Sequence, residues 1–198
     1  MTKFNDFKNK IPLPIRLFLG KALLFYIIWE VLYALFIHES PFPQQFLTNH
    51  VGNFSVLILN NLGDMTGFSC TNTSLISNYS GELIEEFYSE IYHYEKKILK
   101  IANACNGLTL MALYTGFIVC MPSLFWRKIK YILIGLIVID AINIIRCVGL
   151  IYLSEYYHTY FDFAHHYLFK AVIYATTFLL WYIFARKIHL NHENLQNG

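Results

Sequence analysis

Ile101-Ala102-Asn103-Ala104-Cys105-Asn106-Gly107-Leu108 lies where a polar, charged segment gives way to an apolar run that ends near Phe125. A cysteine buried inside such a run is a small hydrophobe. Cys105 instead stands at the entrance, beside small residues that let a second backbone or a bound molecule approach closely. Two later features point back towards it: Arg146, inside an otherwise apolar stretch, and the pair His165-His166, at the start of another.

The chain around this stretch is unusually apolar. Of 198 residues, 56% are hydrophobic and 14% charged, against about 25% charged in an ordinary soluble domain. With 15 Tyr and 17 Phe, that deficit places the chain among integral membrane proteins, with the lipid bilayer as its first partner. A net charge of +2 gives no sign of a nucleic-acid partner, and in a membrane the distribution of charge matters more than its sum. The cysteines at 70, 105, 120 and 147 form no CxxC pair and no zinc-like spacing, so neither a disulfide framework nor a metal site is expected. Cys120 and Cys147 read as packing residues. No motif calls for a cofactor.

Four apolar runs, residues 17–37, 104–125, 131–153 and 164–185, are each long enough to cross a hydrocarbon core of about 30 Å. They predict an all-α polytopic membrane protein, a single membrane domain over 1–198 in which 38–103 is an extracytoplasmic segment carrying amphipathic helices. The first run precedes His38-Glu39-Ser40-Pro41 rather than a small-residue cleavage site, so it reads as a retained span. Glu30 within it is an intramembrane carboxylate in need of a partner. In the polar segment, Leu47, Val51, Phe54 and Ile58 fall at helical spacing, so 44–62 reads as a helix on the membrane surface. Residues 64–80, rich in Gly, Ser, Thr and Asn, read as a loop. Leu83, Phe87, Ile91, Tyr94 and Ile98 predict a second amphipathic helix over 82–100, lying against the membrane and helping to admit an extended peptide.

Basic residues orient the spans. Nine Lys/Arg (Lys3, Lys8, Lys10, Arg16, Arg127, Lys128, Lys130, Arg186 and Lys187) flank one side, and three (Lys96, Lys97 and Lys100) the other. By the positive-inside rule both termini are cytoplasmic, and 38–103 and 154–163 lie outside. Cys105 then falls in the first turn of the second span and His165-His166 in the first turn of the fourth. Arg146 sits about 10 Å below the end of the third. All three occupy the outer half of the bilayer, and Asn143 and Asp140 follow Arg146 inward on broadly the same face.

Such a trio supports nucleophilic acyl transfer. A thiolate attacks, and a neighbouring cation favours it. A histidine exchanges the proton with the thiol and gives it to the leaving amine. A guanidinium stabilises charge on the carbonyl oxygen, helped by backbone amides near Asn106-Gly107. On geometry alone a bland reading stays open, with Arg146 paired to Asp140 or Glu30 and the histidines facing headgroups.

Ala104-Cys105-Asn106-Gly107-Leu108, Asn143-Ile144-Ile145-Arg146 and His165-His166-Tyr167-Leu168-Phe169 resemble the three motifs of the exosortase/archaeosortase family, in the same order. Cys-Asn-Gly in place of Cys-Ser-Gly, the His-x-Tyr-Leu-Phe ending and the short length look most like the XrtF-like branch. The resemblance implies a cysteine-dependent protease/transpeptidase of the bacterial inner membrane. It would cut the C-terminal transmembrane sorting signal of exported proteins at a site facing outward and pass them to an acceptor of unknown chemistry. Carried over by motif, Cys105 is the nucleophile, Arg146 the oxyanion or thiolate stabiliser and His165 the acid/base. His166, Asn143, Asn106 and Gly107 are possible supporting residues. Two other readings stand beside it. One is a small non-enzymatic transport or assembly subunit with Glu30, Asp140, Arg146 and Lys170 along a polar path. The other is a haem-binding span, which requires histidines on facing helices where only one span carries any.

Overall fold

The structure, a computed structural model, describes residues 13–37, 42–62, 65–79 and 82–196. The basic cluster Lys3, Lys8 and Lys10 lies outside the described residues. Helix α1 (Leu13–Leu32) passes into a π turn (Tyr33–Ile37), and α2 (Gln44–Asn61) follows. Three strands come next: β1 (Phe68–Tyr79), β2 (Glu82–His93) and β3 (Lys96–Ala102). A 3₁₀ turn (Asn103–Cys105) leads to α3 (Leu108–Cys120) and α4 (Phe125–Tyr156). The chain ends in α5 (His158–Phe163), a second π turn (Ala164–Leu168) and α6 (Phe169–Gln196).

Among the described residues three helices are long and apolar enough to cross a membrane: Ile15–Leu35, Phe125–Tyr156 and His158–Arg186. The fourth expected span is shorter than its apolar run. Helix α3 has 13 residues, about 20 Å at 1.5 Å per residue, because Gly107 at φ 81° and the extended Met121 end it on either side. The three long helices carry Leu23, Leu24, Ile27, Ile137, Phe178 and Leu179 outward, the surface that lipid would cover.

Between 64 and 100 the expected loop and helix are replaced by an antiparallel sheet of order β1-β2-β3. The apolar spacing of four in Leu83, Phe87 and Ile91 fits a helix, but four is also an even number and keeps residues on one face of a strand. Ile84, Phe87, Tyr88, Ile91 and Tyr92 are β-branched or aromatic and so suit a pleated surface, and pairing with β1 selects it. The turn at Tyr94, with φ 54°, folds β3 back onto β2 with His93 opposite Lys96.

Two cores result. One, of Tyr114, Ile118, Ile139 and Phe184, ties α3, α4 and α6 together. Tyr114 passes beside Gly135, where a Cβ would lie 2.1 Å from its ring, and donates to the Tyr131 carbonyl at 2.7 Å. Arg127 Nη2 donating to the Phe184 carbonyl at 2.9 Å closes the basic end of this bundle. The other core, with Val51, Leu59, Phe68, Ile91, Ile101, Ile144, Cys147 and Ile151, clamps α2 between the sheet and α4. The 44–62 helix is therefore a packed element, with Thr48, Val51, Gly52, Ser55, Val56 and Leu59 buried. Gly52 sets how closely it meets the sheet, since an added Cβ would lie 2.8 Å from Cys70 Sγ and 2.9 Å from Ser89 Cβ.

Gly52→Val is expected to destabilise the protein by about 1–3 kcal/mol. It should lower the thermal unfolding midpoint in detergent, whereas Gly20→Ala, with nothing within 4 Å of the added Cβ, should not lower it.

Candidate functional site

Cys105 is carried by the 3₁₀ turn Asn103–Cys105 rather than by a membrane helix. The first-turn placement fails because Asn106 and Gly107 intervene. Asn106 Oδ1 accepts from the Leu108 N–H at 3.0 Å and so caps the start of α3 locally. Gly107 adopts φ 81°, which a side chain would strain. Space is not the constraint there, since an added Cβ would lie 3.4 Å from Asn143 Nδ2, an ordinary contact.

Helix α2 holds this turn from one side. Asn106, only 2% exposed, donates through Nδ2 to the Gln44 carbonyl at 3.2 Å and to Thr48 Oγ1 at 3.3 Å. The Thr48 hydroxyl lies 2.9 Å from both Asn103 Oδ1 and the Gln44 carbonyl, and its single proton serves one or is shared. Periodicity had assigned α2 a membrane-surface role, so Thr48 and Asn103 were missed. The available signal was the row Thr48, Gly52, Ser55 at helical spacing, small residues of the kind that line a close contact between elements.

Helix α4 holds it from the other side. Asp140, Asn143 and Arg146 are three residues apart, so they share a face on successive turns. Asn143, fully buried, donates through Nδ2 to the Cys105 carbonyl at 2.9 Å. One turn on, Arg146 Nη2 lies 3.6 Å from Cys105 Sγ. Asp140 pairs with His50 of α2 at 2.9 Å, not with Arg146. Glu30 interacts with Tyr26, one turn earlier on its own helix. Among the described residues Asp140 Oδ1, Asn143 Oδ1 and Arg146 Nε are buried with no hydrogen-bond partner. Such atoms are rare and point to hydrogen-bonding capacity left for something else.

His165 and His166 fall in the π turn Ala164–Leu168, a helix irregularity that recurs at functional sites. His165 is half-buried, its ring 5.7 Å from Phe161, and the charge of Arg146 reaches it. His166 is exposed. Among the described residues no hydrogen bond joins either histidine to Cys105. Sequence reasoning thus named Cys105, Arg146 and Asn143, which meet, and His165, which faces the same region without touching the sulfur.

The other thiols differ in access. Cys120 and Cys147 are buried. Burial pushes the Cys70 thiol above its ordinary range, and the Ser89 hydroxyl offsets this only in part. Among the described residues no three His, Cys, Asp or Glu side chains converge as metal ligands would.

The family model described as transmembrane exosortase (Exosortase_EpsH) matches residues 13–183. No curated protein matches the chain significantly, and neither does any solved structure.

Maleimide labelling of the folded protein at neutral pH, followed by peptide mass spectrometry, should find Cys105 modified first. Cys70 should follow more slowly, and Cys120 and Cys147 should react only after unfolding.

Proposed function

Since the chain belongs to the transmembrane exosortase family, a family of membrane proteases and transpeptidases, we propose that Cys105, Arg146 and His165 form its catalytic site. The reaction is cleavage of the C-terminal sorting signal of exported proteins. The observation that carries this reading is the pair of contacts from α4 to one residue. Asn143 holds the Cys105 carbonyl at 2.9 Å while Arg146 reaches its sulfur at 3.6 Å.

The chemistry follows from those positions. The Cys105 thiolate attacks the scissile carbonyl carbon; a C–S bond forms and the carbonyl π electrons move to oxygen. A guanidinium beside the sulfur is placed to donate to that oxyanion, and its planar fork can serve sulfur and oxygen together. Collapse of the tetrahedral adduct breaks the C–N bond. His165, holding the proton taken from the thiol, delivers it to the departing amine. A histidine facing the sulfur across a bound peptide needs no direct bond to Cys105 for this. An acceptor, water or an amine, then attacks the thioester and releases Cys105.

Half-burial of His165 beside the reach of Arg146, against the exposure of His166, supports the first histidine as the acid/base. The Cys-Asn-Gly and His-x-Tyr-Leu-Phe patterns support the short XrtF-like branch. The excess of basic residues at the end of the bundle opposite Cys105 supports an inner-membrane protein with cytoplasmic termini and the site facing outward. A transport subunit fits less well, because Asp140 is engaged by His50.

Cys105→Ala and Cys105→Ser should abolish processing of exported proteins that end in a hydrophobic helix and basic residues, read as uncut precursor by C-terminal proteomics at equal enzyme abundance. Arg146→Lys and His165→Ala should each lose on the order of a hundredfold in rate. His166→Ala, Cys120→Ala and Cys147→Ala should retain most activity. Processing at the wild-type rate by Cys105→Ala sinks the assignment.

A further inference from the structure

Resting on the reading of Cys105 as nucleophile, we propose that the free edge of β3 takes up the cleavage segment of the substrate as an added parallel strand and delivers its scissile carbonyl to the sulfur.

Among the described residues β3 is an edge strand, paired with β2 alone. Which backbone groups it leaves free follows from the register. The Tyr94 N–H donates to the Gly67 carbonyl at 2.8 Å, so the backbone of Tyr94 faces β1. Alternation along β2 then turns His93, Ile91 and Ser89 towards β3. Their partners Lys96, Leu99 and Ile101 face β2 in return. Lys100 and Ala102 therefore direct N–H and C=O away from the sheet. Nearer the hairpin the edge is closed: the irregularity at Ile91/Tyr92 makes Ile98 an extra residue, and its carbonyl accepts from Ser154 Oγ of α4 at 3.4 Å. The free edge is the part next to Cys105.

Continuity ties this edge to the chemistry. β3 ends at Ala102 and the 3₁₀ turn bearing Cys105 starts at the next residue. A peptide hydrogen-bonded to Lys100 and Ala102 is thus in register with the sulfur through one rigid stretch of backbone. Like β3, α5 packs on α4; the π turn with His165 packs on α5 and α6, and neither packs comparably with β3, so they leave the outward edge at Lys100 and Ala102 uncovered.

Strand direction follows as well. The Lys96 end of β3 is pinned to Glu155 at 3.0 Å, while the turn after its other end meets Asn143 and Arg146 through Cys105, nine or more residues back along α4, about 13 Å towards the basic end. A substrate that enters the bilayer by a C-terminal helix runs the same way past Cys105, which makes the pairing parallel. Specificity for the backbone is favoured because the strand's lysines are already engaged. Lys96 pairs with Glu155, Lys97 with Glu90, and Lys100 lies 3.3 Å over the Tyr88 ring. Main-chain hydrogen bonds then provide affinity, and the substrate's side chains on either side of the added strand provide selectivity.

Lys100→Pro removes the outward N–H and places a ring on the edge, a substitution that edge strands tolerate on their unpaired side. Lys100→Ala keeps the N–H and controls for the lost contact with Tyr88. The probe is an exported reporter fused to the C-terminal tail of a protein whose precursor accumulates in Cys105→Ala cells. Lys100→Pro should cleave it about tenfold more slowly than Lys100→Ala, with equal unfolding midpoints and equal maleimide labelling of Cys105. Equal cleavage by the two variants overturns the proposal. Should Lys100→Pro fail to fold, hydrogen exchange on Cys105→Ser decides. The reporter tail should slow exchange across residues 99–102, and unchanged exchange there overturns the proposal. If no precursor accumulates in Cys105→Ala cells, the nucleophile reading falls first, and this one with it.

Discussion

Polar atoms on a helix long enough to span a bilayer must find partners inside the protein, because hydrocarbon offers none. On α4 this requirement falls on Asp140, Asn143 and Arg146, one per turn along a single face. Each is met by a different piece of the chain or a different atom. Asp140 takes His50 of α2, Asn143 takes the Cys105 carbonyl, and Arg146 takes the Cys105 sulfur. Satisfying one helix therefore draws α2 and the 3₁₀ turn onto it. The apolar core of Val51, Ile101, Ile144 and Ile151 packs around that contact.

The same economy explains why the turn that carries Cys105 is held so firmly without regular secondary structure of its own. A turn in the middle of a protein exposes backbone groups that need partners. Here Asn106 caps α3, Thr48 and Gln44 meet the side chain of Asn106, and Asn143 takes the carbonyl of Cys105. Both elements that flank Cys105, an edge strand before and a capped helix after, are rigid. What stays uncommitted is the sulfur side, where Arg146 Nε and Asn143 Oδ1 keep unused capacity. An arrangement rigid in backbone and open in polar capacity suits chemistry better than a sealed ion pair would.

The sheet plays a part that a surface helix could not. A helix uses its own backbone hydrogen bonds internally and offers a peptide only side chains. An edge strand offers a row of main-chain donors and acceptors, and β3 places two such positions directly before the 3₁₀ turn. Its outer end is fixed to α4 through Lys96 on Glu155 and the Ile98 carbonyl on Ser154, with His93 of β2 sharing Glu155.

Some of this was determined by sequence alone. Membrane character, the spans read at 131–153 and 164–185, and the shared depth of Arg146 and Cys105 follow from hydropathy and from residue spacing, which are local and additive along the chain. Cys105, Asn143 and Arg146 are legible because their motifs stand in the order of the exosortase family's, whereas geometry alone leaves a bland reading open. Tertiary structure alone decided the rest. Residues 82–100 carry an apolar spacing common to helix and strand, and only pairing with β1 and packing on α2 select the strand. The roles of Thr48 and His50 arise from contacts with residues 55 and 90 positions away, which no periodicity records. That Cys105 sits on a turn rather than in a helix depends on the left-handed backbone of Gly107 and on Asn143 holding the Cys105 carbonyl, a contact that exists only once α4 is in place.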